Sequence, residues 1–396
     1  MEYKFANRIS ALQPSAIREI LKFTSMPEVI SFAAGNPAPE AFPSAEVTEI
    51  SSDLLKNNPV DALQYSITEG YLPLRNKMRE YMKTLHNVGD ENDEIIITSG
   101  AQQVMELASK SLANEGDTVI CEKNSFVGSL NAFRSYGLNL AGIECDDEGM
   151  IISELEKALK TEKNVKFIYT IPNFQNPTGV TTTLERRKEM YRLAKEYGVM
   201  IVEDNPYGDI RFAGENIPNI KSFDTEGIVI YAGSFSKVLS PGMRVGYAIA
   251  PKPVISKMTV CKQVSDVHSN IWSQIVAYQF LEKYDFDAHL EKIRAIYREK
   301  YTLMASLVEK YLVPNGITYT PVEGGLFIWC TLPSHIDMVE FCTRAVHSNV
   351  AVVPGTAFLT DESEPCSCFR INFSTPTNEQ MEKGMEILGE VLKQYN

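Results

Sequence analysis

The 396-residue chain predicts an α/β fold: a mostly parallel sheet covered by helices on both faces, with a smaller α+β unit after it. Short Ile- and Val-rich runs alternate with helical patterns between Glu94 and Ala250, as expected of parallel strands buried on both faces. Two of these runs, Met200 to Val202 and Ile228 to Ala232, are followed by polar residues that core packing would not select. In an open α/β sheet, such residues just beyond the strand ends mark the ligand-binding edge. After Pro314 the pattern changes to short strands and one closing helix, which is the signature of the second unit.

Residues 1–26 carry a rough helical stripe of Ile9, Leu12, Ile17, Ile20, Leu21 and Phe23. The segment ISFAAGNPAPEAFP follows, irregular by its Gly, Pro and Asn content, and Gly35 lets the backbone approach a ligand closely. Tyr65 falls in a loop before a helix that starts near Pro73, and no physical signal singles it out. EIIITS then GAQQVMELASKSLA reads as strand, glycine turn and helix. A helix opening at Ser99, Gly100, Ala101 and Gln102 presents free N–H groups and a positive dipole end, suited to phosphate.

Further strands are predicted at Thr118 to Cys121, Leu138 to Ile143, Val165 to Ile171, Val199 to Val202, Ile228 to Ala232 and Val245 to Ala250. Phe126, in a loop after one of them, could stack on an aromatic ligand ring. Asn176 sits in a loop fixed by Pro177 and Gly179. Residues 255–312 read as helical, and a long element over FDAHLEKIRAIYREKYTLMASLVEKYL is placed to bridge the two units. Arg370, flanked by Phe369 and Ile371 in a strand, needs an anion if buried, and a substrate carboxylate fits.

The polar residues at the sheet edge suggest pyridoxal phosphate (PLP) chemistry, in which a lysine amine condenses with the aldehyde and the ring accepts electrons. Lys237 is the candidate lysine, and Asp204 the carboxylate that keeps the ring nitrogen protonated. Tyr207 could hydrogen-bond the ring's 3-oxygen, while Ser234, Ser236 and Arg244 supply hydroxyls and a guanidinium for the phosphate.

Four segments carry a family resemblance: PNFQNPTG at 172–179, EDNPYGDIRF at 203–212, SFSKVLSPGMRVGY at 234–247 and FRINFS at 369–374. In this order they resemble the class I/II aminotransferases of PLP fold type I, and most of all the 2-aminoadipate, kynurenine, aromatic and branched-chain branch. The resemblance implies a seven-stranded large PLP domain over 46–285, a small domain over 286–396, and an N-terminal arm with part of the small domain over 1–45. It also implies that Asn176 hydrogen-bonds the 3-oxygen beside Tyr207, that Gly35 lies against the substrate, and that Arg370 binds its carboxylate. Tyr65 resembles the tyrosine that reaches the partner subunit's cofactor phosphate, which implies a homodimer with shared sites. Phe126 departs from the tyrosine common at its place. The N-terminal stripe either packs on its own domain or, as the resemblance implies, covers the active-site mouth, where Ile17, Ile20 and Leu21 would touch the substrate side chain and favour long or aromatic ones.

The expected reaction is ping-pong transfer of an amino group from an aromatic, branched-chain or 2-aminoadipate-like L-amino acid to a 2-oxo acid such as 2-oxoglutarate. A PLP carbon–sulfur β-lyase would use the same residues. A sensor domain behind a DNA-binding winged helix is disfavoured, because the chain begins within the aminotransferase arm and its net charge of −13 argues against a nucleic-acid partner. No G-x-G-x-x-G or Walker loop is present to bind a dinucleotide or ATP. The 7 scattered cysteines, without a signal peptide or a membrane-length apolar run, point to a reducing, cytoplasmic setting with most thiols in the core. Cys366 and Cys368 form a CxC without further ligands at metal spacing, so no metal is expected.

Overall fold

A computed structural model describes residues 3–10 and 28–395. The large sheet has seven strands: β1 (Asp93–Thr98), β2 (Thr118–Glu122), β3 (Asn139–Ile143), β4 (Val165–Thr170), β5 (Met200–Asp204), β6 (Val229–Ser234) and β7 (Gly246–Pro251). Their spatial order is β1-β7-β6-β5-β4-β2-β3. The pairs from β3 through to β6 are parallel, while β7 runs antiparallel to both of its neighbours. Each predicted strand is present, with ends shifted by a few residues. Interior β-branched runs such as Ile95–Ile97 are fully buried, since helices cover both faces of the sheet.

A second sheet of four short antiparallel strands is built from β8 (Thr318–Tyr319), β9 (Phe327–Thr331), β10 (Val353–Pro354) and β11 (Cys368–Asn372), in the order β8-β9-β11-β10. The helix Phe286–Tyr311 links it to the large sheet. Arg294 and Arg298 donate to the carbonyls of Asp209 and Phe212, while Lys300 donates to that of Pro376. The closing helix Asn378–Leu392 starts with a capping box of Thr377 and Gln380, which satisfies backbone N–H groups at its N-terminus.

One expectation is corrected. Only Cys121, Cys330 and Cys342 are buried; the other four cysteines are half-buried, because Cys145 and Cys368 begin strands, Cys261 lies on a helix face and Cys366 sits in a loop. Tyr65 is 82% exposed and meets His268 edge-on. Of the N-terminal stripe, Ile9 lies in the short helix Asn7–Ser10 and is 47% exposed. Leu12, Ile17, Ile20, Leu21 and Phe23 lie outside the described residues. Among the described residues no helix is long and apolar enough to cross a membrane.

Candidate active site

The C-terminal edge of β4, β5 and β6 opens into a cleft of about 510 Å³, closed on the far side by β9, β11 and the segment around Gly35. The structure brings Gly35, Ala101, Gln102, Phe126, Asn176, Asp204, Tyr207, Ser234, Ser236, Lys237, Arg244 and Arg370 to its wall. Ser99, Gly100 and Tyr65 are absent from it.

Lys237 follows β6 in a loop, and its Nζ donates to the Gly35 carbonyl at 2.8 Å. Desolvation is the main cause that lowers its pKa to about 8, with Arg370 and Arg244 adding repulsion. A sizeable neutral fraction at physiological pH makes this amine nucleophilic. Asp204 ends β5, buried, and Tyr169 on the neighbouring β4 donates to its Oδ2 at 2.9 Å. Oδ1 has no partner and is also buried. Desolvation raises the carboxyl pKa to about 7, against the lowering effect of the Tyr169 hydrogen bond. An orphaned, buried carboxylate oxygen in a cleft wall calls for a cationic N–H, and a protonated pyridine is such a donor.

The phosphate side is built from a glycine turn. Gly100 has φ +75° and precedes the helix Ala101–Leu112 without offering a capping side chain, so the first-turn N–H groups have no side-chain cap. A Cβ on Gly100 would fall 2.3 Å from Arg244 Nη2, and one on Gly246 would fall 2.5 Å from the Gly100 carbonyl carbon. The absence of both side chains lets Arg244 lie across the turn and donate to the Ser99 carbonyl at 2.9 Å. Arg244 itself has φ +54°, a strained backbone of the kind that collects at functional sites. Ser236 Oγ accepts from its Nη1 at 3.5 Å.

On the opposite side, Arg370 is buried in β11 with its guanidinium 4.0 Å from the Phe327 ring centroid and 4.9 Å from that of Phe358. Nη1 donates to Asn176 Oδ1 at 2.7 Å and Nη2 to the Ala33 carbonyl at 2.8 Å. No carboxylate pairs with it among the described residues, and burial lowers its pKa to about 10, so it stays charged at neutral pH. A buried, unpaired, oriented guanidinium is a site for a ligand carboxylate. Asn176 also donates to Tyr207 Oη at 3.5 Å, and the Asn176–Pro177 peptide is cis. The loop is fixed from behind by buried Arg187, which donates to the carbonyls of Pro172 and Thr182 and to Asn173 Oδ1.

Tyr169, Ser129, Phe327 and Phe358 escape the sequence reading. One signal was available: a tyrosine inside the apolar run VKFIYT must find a partner for its hydroxyl once buried.

Fold and cleft together define a PLP-dependent enzyme. The model of the family "aminotransferase class I and II" matches residues 27–388, and the chain belongs to that family. It is 39% identical to aromatic-amino-acid aminotransferase 1 of Thermococcus litoralis, covering 99% of this chain and 95% of that protein. It is 37% identical to 2-aminoadipate transaminase of Thermus thermophilus, covering 98% and 96%. Among solved structures, Pyrococcus horikoshii kynurenine aminotransferase, in complex with PMP, superposes with TM-score 0.94 at 36% identity, covering 98% and 97%. The chain is therefore a PLP-dependent aminotransferase acting on amino and 2-oxo acids.

Proposed function

We propose that the enzyme moves amino groups from aromatic, branched-chain or 2-aminoadipate-like L-amino acids to a 2-oxo acid such as 2-oxoglutarate, by a ping-pong mechanism. The cleft wall carries the reading. Among the described residues Arg370 is the clamp for an α-carboxylate, and Phe327, Ile171 and Ala33 add apolar surface to the same wall. The relatives named for aromatic amino acids, 2-aminoadipate and kynurenine support the same range.

Bound PLP supplies an aldehyde that condenses with amines and a protonated ring that draws electrons from the substrate's Cα. The residues present fit it. Ser234, Ser236, Arg244 and the N–H groups of Ala101 and Gln102, on the turn formed by Ser99 and Gly100, would hold its phosphate. Phe126 would lie on the ring, Asp204 Oδ1 would face the ring nitrogen, and Tyr207 and Asn176 would face the 3-oxygen. Arg370 orients the substrate by its carboxylate, with Gly35 alongside. Lys237, with its amine free, would take the proton from the substrate's Cα and deliver it to the carbon that was the cofactor's aldehyde. A second 2-oxo acid runs the same proton transfers in reverse.

A screen of the twenty amino acids with 2-aminoadipate and kynurenine, against 2-oxoglutarate and pyruvate, tests the range. Highest kcat/KM is expected for long or aromatic donors. A clear preference for aspartate or alanine would overturn it.

The same reading includes a homodimer. Leu63, Tyr65 and Ile67 are exposed, as are Val264 and Val267 on a segment tied to them by the Ser66 N–H donating to His268 Nε2. Exposed apolar residues clustered in this way mark an interaction surface. Tyr65 at its centre would then complete a partner's phosphate site. Light scattering should give twice the 44.4 kDa chain mass. A monodisperse and active monomer would refute the shared site. Domain boundaries near 46 and 286 and a cytoplasmic location complete the proposal, the latter on the free cysteines.

A further inference from the structure

We propose that Tyr169 and Ser129 act as a two-hydroxyl relay that positions Asp204, fixing one carboxylate oxygen so that the other is presented to the cofactor ring nitrogen. The proposal rests on the reading of Asp204 given above. Tyr169 is fully buried, and its Oη lies 2.9 Å from Asp204 Oδ2 and 2.8 Å from Ser129 Oγ. A phenol has one proton to give, and the carboxylate is the stronger acceptor. The Tyr169 proton therefore goes to Asp204, and the Ser129 hydroxyl donates to Tyr169 Oη. Both bonds run in one direction, so each strengthens the other.

The backbone sets this up. Tyr169 pairs with Val202 across the β4–β5 ladder, which leaves Asp204 two residues further towards the open edge, within reach of the phenol. Ser129 comes from the helix Val127–Ser135 on the other side and lines the cleft. Edge-to-face packing on Phe133, with centroids 5.2 Å apart, fixes the Tyr169 ring. With Oδ2 engaged, Oδ1 remains the one bare oxygen.

The relay also governs charge. Burial and the buried Glu122 carboxylate both push Asp204 towards its neutral form, and the Tyr169 hydrogen bond is what opposes them. Glu122 has its own donors in Thr170 Oγ1, the Ile171 N–H and Ser125 Oγ, so it does not compete for Tyr169. A neutral Asp204 would no longer hold a proton on the ring nitrogen.

The test is a double-mutant cycle read on the apoenzyme as the dissociation constant of PLP, by fluorescence titration. Tyr169→Phe is expected to weaken binding about 10-fold or more, as for a lost hydrogen bond to a charged group. Ser129→Ala should weaken it about 3-fold. Neither should matter in an Asp204→Ala background. If Asp204→Ala alone binds PLP as tightly as wild type, the underlying reading of Asp204 fails. If Asp204→Ala weakens binding but Tyr169→Phe does not, the relay fails while the reading stands. Equal losses from Tyr169→Phe in both backgrounds would make Tyr169 a packing residue and also overturn the relay. Should Tyr169→Phe not fold, the cycle of Ser129→Ala with Asp204→Ala decides by the same criterion.

Discussion

Lys237→Ala is expected to lower kcat for transamination by about 10³-fold or more, because it removes the group that moves the proton at Cα. The phosphate side of the cleft does not depend on this side chain, so the variant should still take up PLP. Borohydride treatment of the wild type should fix the cofactor to Lys237, and the same treatment of the variant should fix none. A variant turning over at the parental rate would remove Lys237 from the chemistry. The lowered pKa gives a separate check. With the folded value near 8 against 10.5 for an ordinary lysine, the neutral amine accumulates as pH rises through about 8. Acylation of Lys237 in the apoenzyme should follow that titration, ahead of the surface lysines. Reaction only in the range of surface lysines would show that burial does not activate it.

Arg370→Lys should lower kcat/KM about 30-fold, and by a similar factor for an aromatic and a short amino acid. The carboxylate is common to both, and one charge-assisted hydrogen bond is the expected loss. The planar fork is what the site is shaped for: two rings bracket it, and Asn176 and the Ala33 carbonyl each hold one outer nitrogen. An ammonium keeps the charge but has no plane to stack and cannot make the paired contact. A loss confined to one class of side chain would move Arg370 from carboxylate binding to side-chain selection.

Both predictions concern residues visible in the sequence, and the reason is physical. Lys237 and Asp204 follow apolar runs at which a buried strand must end, and Arg370 interrupts one. Strand direction was less legible, because Ile249 and its neighbours would be equally apolar in either orientation, and β7 is antiparallel. Partners from distant elements were not legible at all. Tyr169 and Asp204 are 35 positions apart and meet only through the β4–β5 register. Phe327 and Phe358 reach Arg370 from separate elements of the second sheet and its loops. Ile17, Ile20 and Leu21 lie outside the described residues, so the proposed side-chain preference rests on the cleft wall.

The antiparallel return of β7 bears on how the cleft assembles during folding. Ser234 pairs with Gly246 at the close of a short loop, and that loop carries Ser236, Lys237 and Arg244. Arg370 meets Asn176 across 194 positions. Closing the longer span rather than the shorter involves roughly four doublings of length, or about 2.4 kcal/mol more chain entropy. The lysine hairpin can therefore form from local contacts, as rapidly forming structure does, whereas the arginine clamp exists only after the chain has condensed. By chain entropy alone, the half of the cleft that holds the amine closes at lower cost than the half that recognises the amino acid.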